Sequence, residues 1–223
     1  TIIAMGNTDH VIPGHGGLQQ LPRDLIASRE LLVDLVRKDL RVRYRYAALG
    51  FVWAVLEPLA YMVVLTVLFE KVLAPRGTTE MFGPGIPFAS GLLCGLVFWQ
   101  FTNQTLSAAT SCLIDNQHLV RKVAFTREVI PLAATGYPCV ALLIGITVLA
   151  AVHVALGGLL HITALWILPI FCIQAMGTVG IGLAVSAAQV RFRDVGYLVS
   201  VTLILGFYAS PVFYDLDWVL AAA

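Results

Sequence analysis

Two groups of residues in this chain have types and spacing that could engage a ligand. Gln100, Thr102, Asn103, Gln104, Thr105, Ser107, Thr110 and Ser111 crowd the second half of an otherwise apolar stretch. Amides and hydroxyls are costly in lipid, so such a run either lines a wet conduit or hydrogen-bonds neighbouring helices. Glu57 stands beside Pro58 in another apolar stretch, where a carboxylate must be protonated, paired or set in a cavity. Bond-making chemistry has less to stand on. Asp115, Glu128 and Asp194 are isolated, and the five histidines are dispersed, so no acid–base constellation forms. Cys94, Cys112, Cys139 and Cys172 are scattered without a CxxC pair, and read as small apolar residues rather than a disulfide framework or zinc site. No metal site is expected.

The elements holding these residues must be membrane helices. The 223 residues are 59% hydrophobic and 12% charged, with mean hydropathy +0.86. A soluble domain is about 45–50% apolar and about 25% charged. The net charge of +1 argues against a nucleic-acid partner. A span needs about 20 apolar residues, and five stretches qualify: about 47–72, 88–114, 131–156, 163–190 and 195–210. Their apolar runs are continuous rather than alternating, which points to helices and not a barrel. The first thirty residues lack the pattern of a cleavable signal peptide. Residues 1–28 read as a cytoplasmic tail, and residues 29–223 as one transmembrane domain.

Basic residues set the orientation. Seven precede the first span (Arg23, Arg29, Arg37, Lys38, Arg41, Arg43, Arg45). Arg121, Lys122 and Arg127 follow the second span, and Arg191 and Arg193 follow the fourth. That puts 12 of the 14 Lys and Arg on one side, leaving Lys71 and Arg76 for the other. The positive-inside rule makes the crowded side, with the N-terminus, cytoplasmic. A multi-pass protein of the cytoplasmic (inner) membrane is expected.

Residues 29–45 form an amphipathic entry helix. Glu30, Asp34, Arg37, Lys38, Arg41 and Arg45 make a charged face; Leu32, Val33, Leu35, Val36 and Leu40 make an apolar one. Such a helix lies in the membrane interface. Asp39 and Arg43 fall among the apolar residues, four apart and acid first, the favourable order for an ion pair. They either pair at the elbow before the first span, or the helix ends near Asp39 and both reach water.

Several patterns together carry a resemblance. Arg37-Lys-Asp-Leu-Arg-Val-Arg-Tyr44, then Leu49-Gly-Phe-Val-Trp53, then Glu57-Pro-Leu59, looks like the N-terminal signature of the membrane subunit of polysaccharide-exporting ABC transporters. Gly91-Leu92 to Trp99 resembles that family's second span, and Asn116 to Phe125 its first cytoplasmic loop. Arg193-Asp194-Val195, with Ser210-Pro-Val-Phe-Tyr214, resembles its fifth span and following turn. The resemblance covers about residues 30–215; Thr126 departs from it, standing where the family usually has Pro.

The resemblance implies an all-α integral membrane protein: an interface helix plus a six-helix bundle, of which about five spans are present and the last falls beyond the chain's end. It implies export of lipid-linked cell-envelope glycan such as O-antigen, capsule or teichoic acid. It also implies two permease copies with two copies of a separate nucleotide-binding ATPase subunit. This chain has no GxxxxGK[ST] phosphate loop and no Gly-Lys dipeptide, so it carries no cofactor in this reading; ATP and Mg belong to the partner. Docking falls to the loop Leu119–Val129, with bases Arg121, Lys122 and Arg127 and apolar knobs Leu119, Val123 and Phe125. The same bases can instead serve only positive-inside sorting. The elbow (Arg37, Asp39, Arg41, Arg43) and the loop Arg191, Arg193, Asp194 are secondary contacts. Glu57, Tyr61, Trp99, Gln100, Asn103, Gln104, Tyr208 and Tyr214 are the candidate translocation path. Their aromatic rings can stack on sugars or anchor span ends at the interface. The small residues Gly177, Gly180, Gly182, Ala184 and Ser186 suit close helix packing, within the subunit or at a dimer seam.

Other classes stay open: a drug or small-lipid ABC exporter permease, a membrane-embedded polyprenol-phosphate transferase, a small channel or a scaffolding subunit. An ATPase encoded beside this chain would disfavour the last three. The elbow pair makes a direct prediction. Asp39→Arg and Arg43→Asp singly should each lower expression and thermal stability in detergent, and the double swap should recover most of the loss. A double swap no better than either single change means that the two charges do not pair.

Overall fold

A computed structural model of the chain describes residues 29–44, 52–69, 86–118, 128–159, 161–210 and 212. Among these, all regular structure is helical: α1 (Arg29–Tyr44), α2 (Trp53–Val67), α3 (Phe88–Asp115), α4 (Val129–Ala134), α5 (Gly136–Ala155), a 3-10 turn (Ile162–Trp166), α6 (Ile167–Arg191) and α7 (Val195–Ala209). The five expected apolar stretches overlap, in order, α2, α3, α4 with α5, the 3-10 turn with α6, and α7.

Local chemistry sets the helix ends. Pro87 is extended (φ −59°, ψ 132°) and starts α3. Its carbonyl accepts the Ser90 and Gly91 amides at 3.0 and 3.2 Å. At the other end the Asn116 backbone and side-chain amides both donate to the Cys112 carbonyl, at 3.2 and 2.9 Å. Between α4 and α5 the chain turns at Thr135, whose hydroxyl donates to the Leu132 carbonyl at 2.7 Å. Pro138 follows in the first turn of α5, where a missing N–H does no harm.

α3 is the hub. It packs against α2, α4, α5, α6 and α7, and its Leu92, Leu93 and Phe101 are almost wholly buried. Phe101 meets Phe171 of α6 edge-on at 5.5 Å. Lower on the same seam, Gly182 of α6 approaches Ala109 of α3 so closely that an added Cβ would come within 3.2 Å of the Ala109 methyl. Thr178 and Ser186 are buried on this side too, whereas Gly177 and Gly180 face open space. The small residues of α6 therefore split between an internal seam and an outward strip.

The outer helices leave apolar surface uncovered. Val129–Ala155 and Ile162–Arg191, 27 and 30 residues long, are each long and apolar enough to cross a membrane. Only 17% and 11% of their most apolar windows are buried within the chain. A core helix of a soluble protein would be mostly covered, so this surface is suited to lipid or to another chain.

α1 departs from a helix lying flat on lipid. Leu31, Leu32, Leu35 and Val36 pack against Cys112 of α3 and Ile130, Ala133 and Ala134 of α4. A Cβ at Gly136 would collide with Val36, so the start of α5 is cut close to α1. Of the apolar face on the wheel, Leu32, Leu35 and Val36 pack against protein, while Val33 is exposed.

Candidate functional site

Five of the eight candidate path residues, Tyr61, Trp99, Gln100, Asn103 and Tyr208, come from three helices and meet beside the middle of α3. A cavity of about 290 Å³ is walled by Pro58 and Tyr61 of α2, by Leu96, Trp99, Gln100 and Asn103 of α3, and by Leu203, Ile204, Phe207 and Tyr208 of α7. Trp99 and Asn103 are four apart and Gln100 lies between them on the same face, which is why one helix supplies both ring and amides. Phe207 holds Trp99 at 5.8 Å between ring centroids and Tyr208 at 5.5 Å. A Cβ on Gly206 would stand 2.9 Å from the Trp99 ring, so the lack of a side chain there lets α7 close on the indole. Tyr61 and Tyr208 are more than half exposed, and the cavity opens to the side between α2 and α7.

Glu57 sits behind this wall. Gln100 Nε2 donates to Glu57 Oε1 at 2.8 Å. The carboxylate required a partner or a cavity, and it has both: Glu57 and Gln104 line a second, much smaller cavity of about 30 Å³ between α2, α3 and α5. Gln104 Oε1 is buried there without a hydrogen-bond donor among the described residues. Glu57 thus links α2 to α3 and turns the Gln100 side chain between the two cavities.

The remaining polar groups of α3 do different work. Thr102 accepts a hydrogen bond from Gln174 Nε2 of α6 at 2.8 Å, and the same amide donates to the Phe98 carbonyl at 2.9 Å. The Thr110 hydroxyl donates back to the Leu106 carbonyl at 2.7 Å. Ser107 and Ser111 are exposed. Thr102 and Thr110 thus bond within the protein, Asn103 lines the cavity, and Gln100 does both. Leu203, Ile204 and Phe207 were not singled out from the sequence, since nothing distinguishes them from other apolar residues of α7. Gln174 also went unnoticed, though an amide well inside the apolar part of α6 is a signal in itself.

Basic groups gather at one end of the bundle. Lys38 Nζ donates to Asn116 Oδ1 at 2.9 Å, tying α1 to the end of α3. At the start of α7, an added Cβ on Gly196 would stand 3.5 Å from the Thr110 side chain. The turn between α6 and α7, with Arg191, Arg193 and Asp194 exposed, therefore lies at that same end of α3. Arg37 and Arg41 are exposed on α1. Asp39 is half-buried. Burial raises its carboxyl above the ordinary carboxylate range, Lys38 pulls it down, and the nearby Asp115 carboxylate adds to the rise. The side chain of Arg43 lies outside the described residues, as do Leu119, Arg121, Lys122, Val123, Phe125, Arg127 and Tyr214.

Comparison with known proteins matches residues 30–219 to a family described as ABC-2 type transporter. An O-antigen export system permease protein RfbA of Klebsiella pneumoniae is 30% identical over 85% of this chain and 71% of its own length. A protein of the same name from Myxococcus xanthus is 29% identical over 89% of this chain and 73% of its own length.

The Glu57–Gln100 bond predicts a split between two substitutions. Glu57→Gln keeps an acceptor and should leave thermal stability in detergent near that of the parent. Glu57→Leu strands the Gln100 amide and should cost about 0.6–2 kcal/mol, as measured for other intramembrane hydrogen bonds. Equal melting curves for the two variants would mean that the bond does not hold α2 to α3.

Proposed function

The chain belongs to the ABC-2 type transporter family, and from that premise we propose that it is the membrane subunit of an ATP-driven exporter of cell-envelope polysaccharide. The observation that carries this reading is the cavity beside α3. It combines broad aromatic faces (Tyr61, Trp99, Tyr208) with amides (Gln100, Asn103). A sugar has the matching pattern, with apolar C–H faces and a rim of hydroxyls. The relatives' names, O-antigen export system permease, support the same substrate class. The glycan is expected to be lipid-linked, since the cavity opens sideways between α2 and α7, where a lipid tail can stay in the bilayer while the sugar enters.

The working unit proposed is two copies of this chain with two ATPase subunits, which bind ATP and Mg. Each copy forms a bundle of six spans, of which residues 47–210 provide five, behind an interface helix at 29–45. No α2 residue is buried in the single chain, and among α7 residues only Leu203 is. A second copy facing these helices would enclose the open side of the cavity. The basic end of the bundle faces the cytoplasm in this reading.

α3 then couples the two ends. Its 28 residues make a rod roughly 42 Å long. One end leads into the docking loop 119–127, and its middle forms the cavity wall. Asn103 lies roughly 18 Å from the loop end of α3, at Asp115. A push on the loop would move the wall with it, while α1, bonded to Asn116 through Lys38, steadies the base.

The docking assignment is tested by Leu119→Asp with Phe125→Asp. The double variant should still fold and insert but lose co-purification of the ATPase subunit, and with it export of glycan to the cell surface. Intact assembly would remove the loop from the docking role.

A further inference from the structure

At the end of the bundle away from α1 lies a second large cavity with different chemistry. It fills the space between the start of α3, the end of α5 and the 3-10 turn, with a volume of about 590 Å³. That is within the roughly 300–1,000 Å³ range of ligand pockets. Its walls are apolar, chiefly Ile146, Leu149 and Ala150 of α5 and Ala164 and Ile167 near the start of α6. Its polar groups, Ser90, His153, His161 and Thr163, belong to one end; Ile146 lies two helical turns deeper than His153, roughly 10 Å. Among the described residues, no Asp, Glu, Lys or Arg lines it. Leu159 in its lining is strongly exposed.

His153 is held in a set orientation. Gly157 takes a positive φ of 85° to turn the chain after α5. A Cβ on the next residue, Gly158, would collide with the His153 ring. Ser90 spends its single hydroxyl hydrogen on the Pro87 carbonyl at 2.8 Å. Its oxygen, 3.2 Å from His153 Nδ1, can therefore only accept, so Nδ1 carries the hydrogen. The second nitrogen, Nε2, lies on the far side of the ring from Ser90, beside Gly158, and is the ring atom that can meet a ligand.

We infer that this cavity binds an anionic glycerophospholipid of the membrane, with one acyl chain against Ile146, Leu149 and Ala150 and the phosphate at His153 and His161. The gradient from imidazoles at the mouth to aliphatic walls at depth matches a lipid end to end. The lack of acidic side chains in the lining suits its charge. A glycan fits poorly, because the walls offer too few partners for its hydroxyls, in contrast to the cavity at Trp99. A bound lipid here would wedge α5 against α3 and steady the helices behind the translocation path. The leaflet, but not the site, rests on the orientation proposed above, which makes this the outer one.

The test uses the whole transporter, permease with ATPase subunit, in phosphatidylcholine vesicles doped with phosphatidylglycerol carrying a photoreactive acyl chain. Adducts should concentrate in residues 90–94 and 146–153. They should be lost in Ala150→Trp, which fills the cavity. The parent should label more strongly with phosphatidylglycerol than with a matching photoreactive phosphatidylcholine, and His153→Gln with His161→Gln should erase that preference. Should Ala150→Trp fail to assemble, the histidine variant decides. Adducts spread evenly along α5 and α6, undiminished labelling of an assembled Ala150→Trp, or a preference that survives removal of both histidines would overturn the assignment. Labelling at this site only from inner-leaflet probe would keep the site and reverse the orientation.

Discussion

The structure depends on where the polar groups of α3 are allowed to be. A helix carrying Gln100, Thr102, Asn103, Gln104, Thr105 and Thr110 cannot present that run to lipid without a cost for each unmet hydrogen bond. It must be surrounded by protein or face water. The other helices answer part of that requirement, α6 through Gln174 and α2 through Glu57, while Gln104 Oε1 and Thr105 Oγ1 stay buried without a partner among the described residues; α7 and part of α2 shape the remaining face into a cavity. The outer helices need no such care. Their side chains are apolar nearly all round, so lipid can cover what protein does not.

This arrangement concentrates two jobs in one rod. The loop end of α3 is held by α1 through the Lys38–Asn116 hydrogen bond and through Leu35 against Cys112. The middle of the same helix carries Trp99, Gln100 and Asn103. Near the other end, Val212 returns over Gly95 after α7 and packs with Phe88, Leu92 and Leu96. In the proposed mechanism a displacement applied at the basic end would reach both the cavity wall and Val212. Packed helices move as units rather than deforming, so the transfer needs no special relay.

Much of the candidate site was legible in the sequence, and the reason is the solvent. Against an apolar background, a carboxylate such as Glu57 or a run such as Gln100–Gln104 stands out as an expense that must be met. Tyr61, Trp99, Gln100, Asn103 and Tyr208 were picked out from three separate stretches, and they surround one cavity. Whether each polar residue would line that cavity or bond another helix was not legible, because it depends on how α3 is rotated against its neighbours. Thr102 and Asn103 are adjacent in sequence and went opposite ways. Leu203 and Phe207 have no sequence mark at all, since an apolar residue beside a cavity looks like one beside lipid. The entry helix shows the same limit. Its apolar face follows from periodicity, but that α4 and the end of α3 cover it depends on tertiary packing.

The proposed function turns on passage of glycan through the cavity walled by α2, α3 and α7. It is tested most directly by placing a photoreactive amino acid at Asn103 in the assembled transporter and irradiating during ATP-driven export. A covalent glycan adduct is expected at position 103; it should require ATP and be absent when the same probe replaces the exposed Ile173. Adducts that form equally at both positions, or at neither while export proceeds, would contradict it.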